Sequence, residues 1–248
     1  MRLVSATALA FAGALSFATL QAQQPPAAGG QRMGGMGAQD AARKVPGGGI
    51  LATGWKGRID PGEAKNGSTL NDSKFEMKGS DITINSGPAT IYWNPADAQT
   101  GDYTVSATFT EPQYESAMSH PHPYGVFIGG NDLDSDTATL LYCTAYGDGR
   151  FILRAFPTTF APPGPSGRRP VPNDAVHKAA GKGEPVTQQI SMSVKGSRVT
   201  CSINGTEVAS VSKDDVVGDG KLKSVEGIPG IRVAHNVDVQ VKDFKVTK

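Results

Sequence analysis

The chain has 248 residues, is 38% hydrophobic but only 7% aromatic, and contains 31 Gly, 17 Pro and two Cys, enough for one domain of ordinary size and too little for two large ones. Lys and Arg number 24 against 23 Asp and Glu, and the balance becomes neutral once Arg2 of the leader is set aside. Such a balance argues against nucleic acid, whose binding rests on phosphate neutralisation, and against an anionic membrane surface as the main partner.

Residues 1–22 read as a signal peptide. Arg2 supplies the positive start, positions 3–20 are apolar or small, and Leu20-Gln21-Ala22 offers a small residue for cleavage. Ser5, Thr7, Ser16 and Thr19 interrupt the apolar stretch, and Gly/Pro-rich chain follows, which speaks against a membrane anchor. No later stretch is apolar enough to span a bilayer, so no transmembrane segment is expected and the location is periplasmic or secreted. Residues 23–49 are Gln, Gly, Ala, Pro and Met with almost no large apolar side chains. Such chain cannot offset its ordering entropy by burial and is expected to be a disordered linker.

From residue 50 onward the hydrophobic period is two. Tyr103, Val105, Ala107 and Phe109 alternate with Thr104, Ser106, Thr108 and Thr110, a strand with one dry face. The same alternation recurs in Ile190, Met192 and Val194, in Val199, Cys201 and Ile203, and in Val237, Val239 and Val241. Gly147-Asp148-Gly149 and Lys195-Gly196-Ser197 are turns between neighbouring strands. Asn204-Gly205 is the strongest short hairpin signal, since both residues tolerate positive φ. These turns predict a meander of about five strands across residues 138–211. One sheet of that size leaves its apolar face wet, so a second sheet built from 75–129 and 228–247 must cover it, and the fold class is an all-β, two-sheet antiparallel β-sandwich over residues 50–248. Residues 157–185 interrupt the meander with seven prolines. They read equally as a functional lid or as a tolerated surface insertion.

Two runs, Gly149-Arg-Phe-Ile-Leu-Arg154 and Gln189-Ile-Ser-Met-Ser-Val-Lys-Gly-Ser-Arg-Val-Thr-Cys-Ser-Ile-Asn-Gly205, resemble the concanavalin A-like (laminin G-like) jelly-roll group. More narrowly, residues 50–248 are similar to the exported bacterial domains called DUF1080, or 3-keto-disaccharide hydrolase domains. Tyr124-Gly-Val-Phe-Ile-Gly-Gly-Asn-Asp-Leu133 and Ser86-Gly-Pro-Ala-Thr-Ile91 are similar to a smaller set of secreted relatives. The resemblance implies a jelly roll whose meander forms one whole sheet and faces glycans. It carries no catalytic set over to this chain.

The best-known catalytic members of that superfold place Glu-x-Asp-x-x-Glu on one strand, where alternation puts acid, helper and nucleophile on one face. That pattern is absent. Glu111, Glu115, Glu184, Glu207 and Glu226 fall in predicted loops or at strand ends. Sugar recognition is the better-motivated chemistry, because a pyranose offers an apolar C–H face and a ring of hydroxyls that match aromatic platforms beside Arg, Asn and Asp. By parity, if Leu141, Cys143 and Ala145 point inward, Tyr142 and Tyr146 point out, and Arg150 and Arg154 on the next strand join them. Those four are the candidate ligand face, or else ordinary cross-strand packing beneath the proline segment. His122 and Tyr124, in the segment entering the Val126–Gly129 strand, are added to the candidate set.

Asp132, Asp134 and Asp136 form a D-x-D-x-D run. An EF-hand is rejected, because Thr137 stands where Gly is needed and Cys143 where the bidentate Glu is needed. A looser structural calcium site or a plain acidic turn both remain open. His120-Pro-His122 sets two histidines in a Pro-stiffened segment. A transition-metal site would need more ligands, and His177 and His235 are the other histidines. The alternative is a loop fixed by its prolines. Cys143 and Cys201 lie on meander strands separated by two others, about 14 Å at ~4.8 Å per strand. The expectation is two buried free thiols and no disulfide. The functional reading is an exported carbohydrate-associated sandwich whose partner is a glycan or small sugar and which is non-catalytic. A glycoside-processing enzyme of the 3-keto-disaccharide hydrolase type and a protein–protein adhesion module are its alternatives.

Overall fold

The computed structural model describes residues 41–115 and 120–248; the leader and most of the linker lie outside the described residues. Strands β1 (Gly49–Leu51), β2 (Lys56–Ile59), β3 (Lys74–Lys78), β4 (Asp81–Asn85) and β5 (Thr90–Trp93) open the fold, with a short helix α1 (Pro61–Lys65) between β2 and β3. β6 (Tyr103–Glu111), β7 (Tyr124–Asn131), β8 (Thr139–Ala145), β9 (Arg150–Phe156) and β10 (Val171–Pro172) follow. The chain ends with β11 (Val186–Lys195), β12 (Arg198–Ile203), β13 (Thr206–Ser212), α2 (Lys213–Val216), β14 (Ile228–Val233) and β15 (Asp238–Thr247). Among the described residues no helix is long and apolar enough to cross a membrane.

The expected two-sheet sandwich is present. One sheet has eight strands in the order β1-β3-β4-β15-β6-β11-β12-β13, and the other has seven in the order β10-β9-β8-β7-β14-β5-β2. The β1–β3 pair is parallel and the other strand pairs are antiparallel. Alternation sets the inner faces as the sequence indicates: Val105, Ala107 and Phe109, Ile190, Met192 and Val194, and Val199, Cys201 and Ile203 are all buried in one core cluster. In β15 the alternation is reset by a bulge between Lys242 and Lys245, where Asp243 has φ 53°. Val239 and Val241 point inward before the bulge. Beyond it Phe244 and Val246 pack on the same core, because one extra residue reverses parity.

The strand neighbours differ from the predicted meander. β8 pairs with β9 on one side and β7 on the other, whereas β11, β12 and β13 pair in sequence in the opposite sheet, with β11 against β6. Residues 157–185 are therefore the crossover between sheets. They are tied down along the way: Val171 and Pro172 add an edge strand to β9, Ser166 and Val176 are buried, and the His177 amide donates to Gln188 Oε1 at 3.0 Å. Turn chemistry identified each local hairpin correctly, but it says nothing about which sheet a hairpin joins.

This placement overturns the expectation of free thiols. Cys143 and Cys201 have inward parity, as expected, but they sit on facing sheets with Cα atoms 6.1 Å apart and form a disulfide. The separation assumed between them belonged to strands of one sheet. Residues 41–48, assigned by composition to the linker, also lie against the sandwich. The Arg43 amide donates to Asn236 Oδ1 at 2.7 Å, its Nε donates to the Ser86 carbonyl at 2.8 Å, and its guanidinium pairs with Asp238. Arg43 fastens this stretch together with two backbone ties, the Val45 amide to the Asp72 carbonyl at 3.0 Å and Asn236 Nδ2 to the Ala41 carbonyl at 2.9 Å.

The bridge spans 58 residues of sequence, so loop-closure entropy gives it about 4 kcal/mol of stabilisation. Intact-mass measurement before and after reduction is expected to show a gain of two hydrogens. Replacing both cysteines by Ala is expected to lower the unfolding free energy in urea by that amount; an unchanged mass on reduction would contradict the cross-sheet bridge.

Candidate functional site on the outer face of the seven-stranded sheet

The outward face of a two-layer sandwich is ordinarily polar. Here it carries a second apolar cluster of Ile91, Trp93, Phe127, Leu133, Leu140 and Phe156, with Tyr142 and Ile228 packed against it. Gly230 permits this. A Cβ at that position would lie 2.5 Å from the Phe127 ring, so the ring lies across the bare strand. Into the cluster projects Arg232, which is 8% exposed. Its two terminal nitrogens donate to the two carboxylate oxygens of Asp60 at 2.6 Å each, and its guanidinium lies 5.5 Å from the Tyr142 ring and 5.4 Å from the Phe156 ring. Burial acts to lower the guanidinium pKa, but the Asp60 carboxylate, by charge and hydrogen bonding together, carries it upward, so the group is a fixed cation.

Asp60 immediately precedes α1, and Pro61 begins the helix with φ already suited to it. The ion pair therefore fastens α1 over the sheet. One turn on, the Glu63 carboxylate stands 3.0 Å from His235 Nδ1. From β2, Lys56 reaches Asp134 at 2.8 Å and Arg58 reaches Asp136 at 2.6 Å, which holds the 132–138 turn opposite α1. Between helix and turn lies a cleft of about 460 Å³. Arg58, Asp60, Glu63, Asn66 and Asp136 supply its polar groups, and Phe156, Pro157 and Ala138 form its apolar side.

Tyr142, Tyr146, Arg150 and Arg154 lie together on this outer side. Tyr142 meets Phe156 edge-on at 6.1 Å, and Arg150 sits 5.1 Å from the Tyr146 ring while its Nε donates to Asp148 at 2.6 Å. Burial raises the Tyr142 phenol pKa against the pull of Arg232 and Arg154, and burial pushes Tyr146 up to about 12, so both remain neutral hydroxyls. Arg154 Nε and Thr144 Oγ1 are buried on the same face with no hydrogen-bond partner among the described residues. Buried polar atoms are usually paired, so such orphans often mark where a ligand or water belongs. Tyr124 must be removed from the candidate face. It is fully buried in the inter-sheet core and stacks on Phe109 at 5.7 Å, because its register partner Ala145 also points inward.

The three aspartates do not converge. Asp132 pairs with Lys223, Asp134 with Lys56 and Asp136 with Arg58, so each carboxylate is drawn toward its own cation. The histidines do converge, except His177, which packs along β11. The β7–β14 register sets Tyr124 against Val233, and the Ala234 amide donates to the Pro123 carbonyl at 2.9 Å. This brings His235 beside His122. Their ring centroids are 4.3 Å apart, and the His120 ring lies 4.5 Å from that of His122. Burial first, then its two histidine neighbours, drive the His122 pKa down to about 3, so this imidazole is neutral at physiological pH.

Arg232, Asp60 and Glu63 escaped the sequence reading. The available signals were a lone Arg inside the otherwise apolar Ile228–Val233 run and an Asp-Pro step opening a short helix. Neither identifies its partner.

No family model matches the chain, and no curated protein matches it either. Solved structures do. A carbohydrate-binding module, CBM66, from Bacillus subtilis is 11% identical over 80% of this chain and 98% of its own, with a TM-score of 0.45. A Bacillus subtilis protein of unknown function with a galectin-like fold is 14% identical over 78% of this chain and 88% of its own, with a TM-score of 0.48. Sheep galectin-11 is 11% identical over 60% of this chain and 92% of its own, with a TM-score of 0.39.

Asp60→Ala strands the Arg232 guanidinium in an apolar setting and is expected to cost on the order of 3 kcal/mol. Arg232→Met leaves Asp60, whose side chain is 25% exposed, able to hydrate, and should cost less. Urea unfolding of the two variants checks the order; an Asp60→Ala protein as stable as the parent would contradict the role of this pair.

Proposed function

We propose that this protein is an exported carbohydrate-binding module whose ligand, a glycan or small sugar, occupies the cleft between α1 and the 132–138 turn. The observation that carries the reading is the pairing within one cleft of an apolar side at Phe156 with charged and amide groups at Arg58, Asp60, Asn66 and Asp136. A pyranose presents matching surfaces, C–H bonds to the aromatic ring and hydroxyls to acceptors and donors. The volume of about 460 Å³ falls in the range of small-ligand sites.

Binding is favoured over acid–base hydrolysis because Asp60 and Asp136 each already pair with a cation, Arg232 and Arg58 respectively. A carboxylate fixed by a cation is a good hydroxyl acceptor and a poor proton donor. The Cys143–Cys201 disulfide supports the exported location, since such bridges persist in oxidising compartments.

A glycan array that includes keto-sugars, followed by calorimetry on the retained ligand, tests the proposal. Asn66→Ala and Asp136→Ala, both at the cleft rim, are each expected to weaken binding about tenfold with the far-ultraviolet circular dichroism unchanged. An array without a retained sugar, or affinities indifferent to both substitutions, would overturn it. Turnover of a 3-keto-glucoside would instead favour the glycoside-processing alternative.

A further inference from the structure

We infer that His120, His122 and His235 form a three-imidazole site for a divalent transition-metal ion. The inference stands apart from the carbohydrate reading. The ligand nitrogens of the three residues all lie within 4.8 Å of one another. Tetrahedral coordination at 2.0–2.1 Å sets such nitrogens about 3.4 Å apart, so small side-chain rotations close the site.

Three further features point to a metal rather than to three stacked rings. First, Nε2 of His122 and Nε2 of His235 are both buried and have no hydrogen-bond partner among the described residues. Two orphaned imidazole nitrogens in one place are costly unless something accepts their lone pairs. Second, His235 Nδ1 lies 3.0 Å from the Glu63 carboxylate. A proton on Nδ1, donated to Glu63, leaves Nε2 as the bare donor atom. This is the carboxylate–histidine arrangement that orients metal-bound imidazoles and raises their basicity. Third, the backbone holds the set in place before any ion arrives. Prolines 121 and 123 bracket His122 and restrict the chain around it, and the β7–β14 ladder brings His235 alongside.

The ligand type narrows the ion. Imidazole suits Zn²⁺, Cu²⁺, Ni²⁺ and Fe²⁺ and is poorly matched to Ca²⁺ or Mg²⁺. Three protein ligands leave the fourth tetrahedral position for water or an oxygen ligand, the composition of an open site rather than a closed structural one. Glu63 links this centre to the cleft, because the same side chain lines the cleft and supports His235.

The test uses the untagged full chain, stripped with chelator and desalted, with Zn²⁺ and Co²⁺ as probes. Equilibrium dialysis is expected to give one Zn²⁺ per chain, and Co²⁺ is expected to develop the visible absorption of four-coordinate nitrogen ligation. His120 is exposed, so His120→Ala should fold normally while weakening Zn²⁺ binding at least about 100-fold. Glu63→Gln, which keeps a hydrogen-bond acceptor but loses the charge, should weaken it about 10- to 100-fold. Failure to take up either ion would overturn the assignment. So would uptake that His120→Ala and His235→Ala leave unchanged, since the ion would then sit elsewhere on the chain.

Discussion

Burying a guanidinium on the outward side of a sheet costs several kcal/mol in lost hydration, and it persists only where the geometry returns that energy. Arg232 meets the requirement in two ways: a bidentate pair with Asp60 and the ring faces of Tyr142 and Phe156. The consequence is positional. Asp60 is the residue from which α1 starts, so the ion pair decides where α1 lies over the sheet, and with it one wall of the cleft. β14 runs between β7 and β5, and three residues beyond Arg232 it delivers His235 to Glu63 on the same helix. One strand thus anchors both the cleft and the histidine cluster.

That outer face depends on the inner one. Two sheets meet through a layer of apolar and aromatic side chains, and the Cys143–Cys201 bridge joins them through it. The crossover at residues 157–185 is what makes this possible, because it carries the chain from the edge of one sheet to the body of the other. Prolines suit such a connection: they limit the unfolded chain's freedom and need no ladder partner for their nitrogen. Phe156 and Pro157 at its start become part of the apolar side of the cleft.

The legible part of the fold was everything governed by parity. Val105, Phe109, Ile190, Cys201 and Ile203 could be assigned inward from alternation alone, because a strand with one dry face admits no other period. Outward placement of Tyr142, Tyr146, Arg150 and Arg154 followed from the same rule. Hairpin turns were legible too, since Asn204-Gly205 demands positive φ, and Asn204 has φ 49° and Gly205 φ 81°. What the sequence could not supply was the pairing of distant strands. Nothing in residues 124–131 marks 228–233 as their neighbour, yet that pairing alone brings His122 to His235 and sets Arg232 opposite Gly125. The same gap applies to Cys143 and Cys201, whose inward parity is legible and whose partnership across the sheets is not. Tyr124 shares the inward parity of Val126 and Ile128 and belongs to the core.

The outer face of the seven-stranded sheet, organised by Arg232 and α1, is the surface we propose for carbohydrate binding. Amide chemical-shift mapping with a bound oligosaccharide tests it most directly. The account predicts perturbations gathered at residues 58–66, 136–142 and 154–158. Perturbations gathered instead on β11, β12 and β13 of the eight-stranded sheet would contradict it.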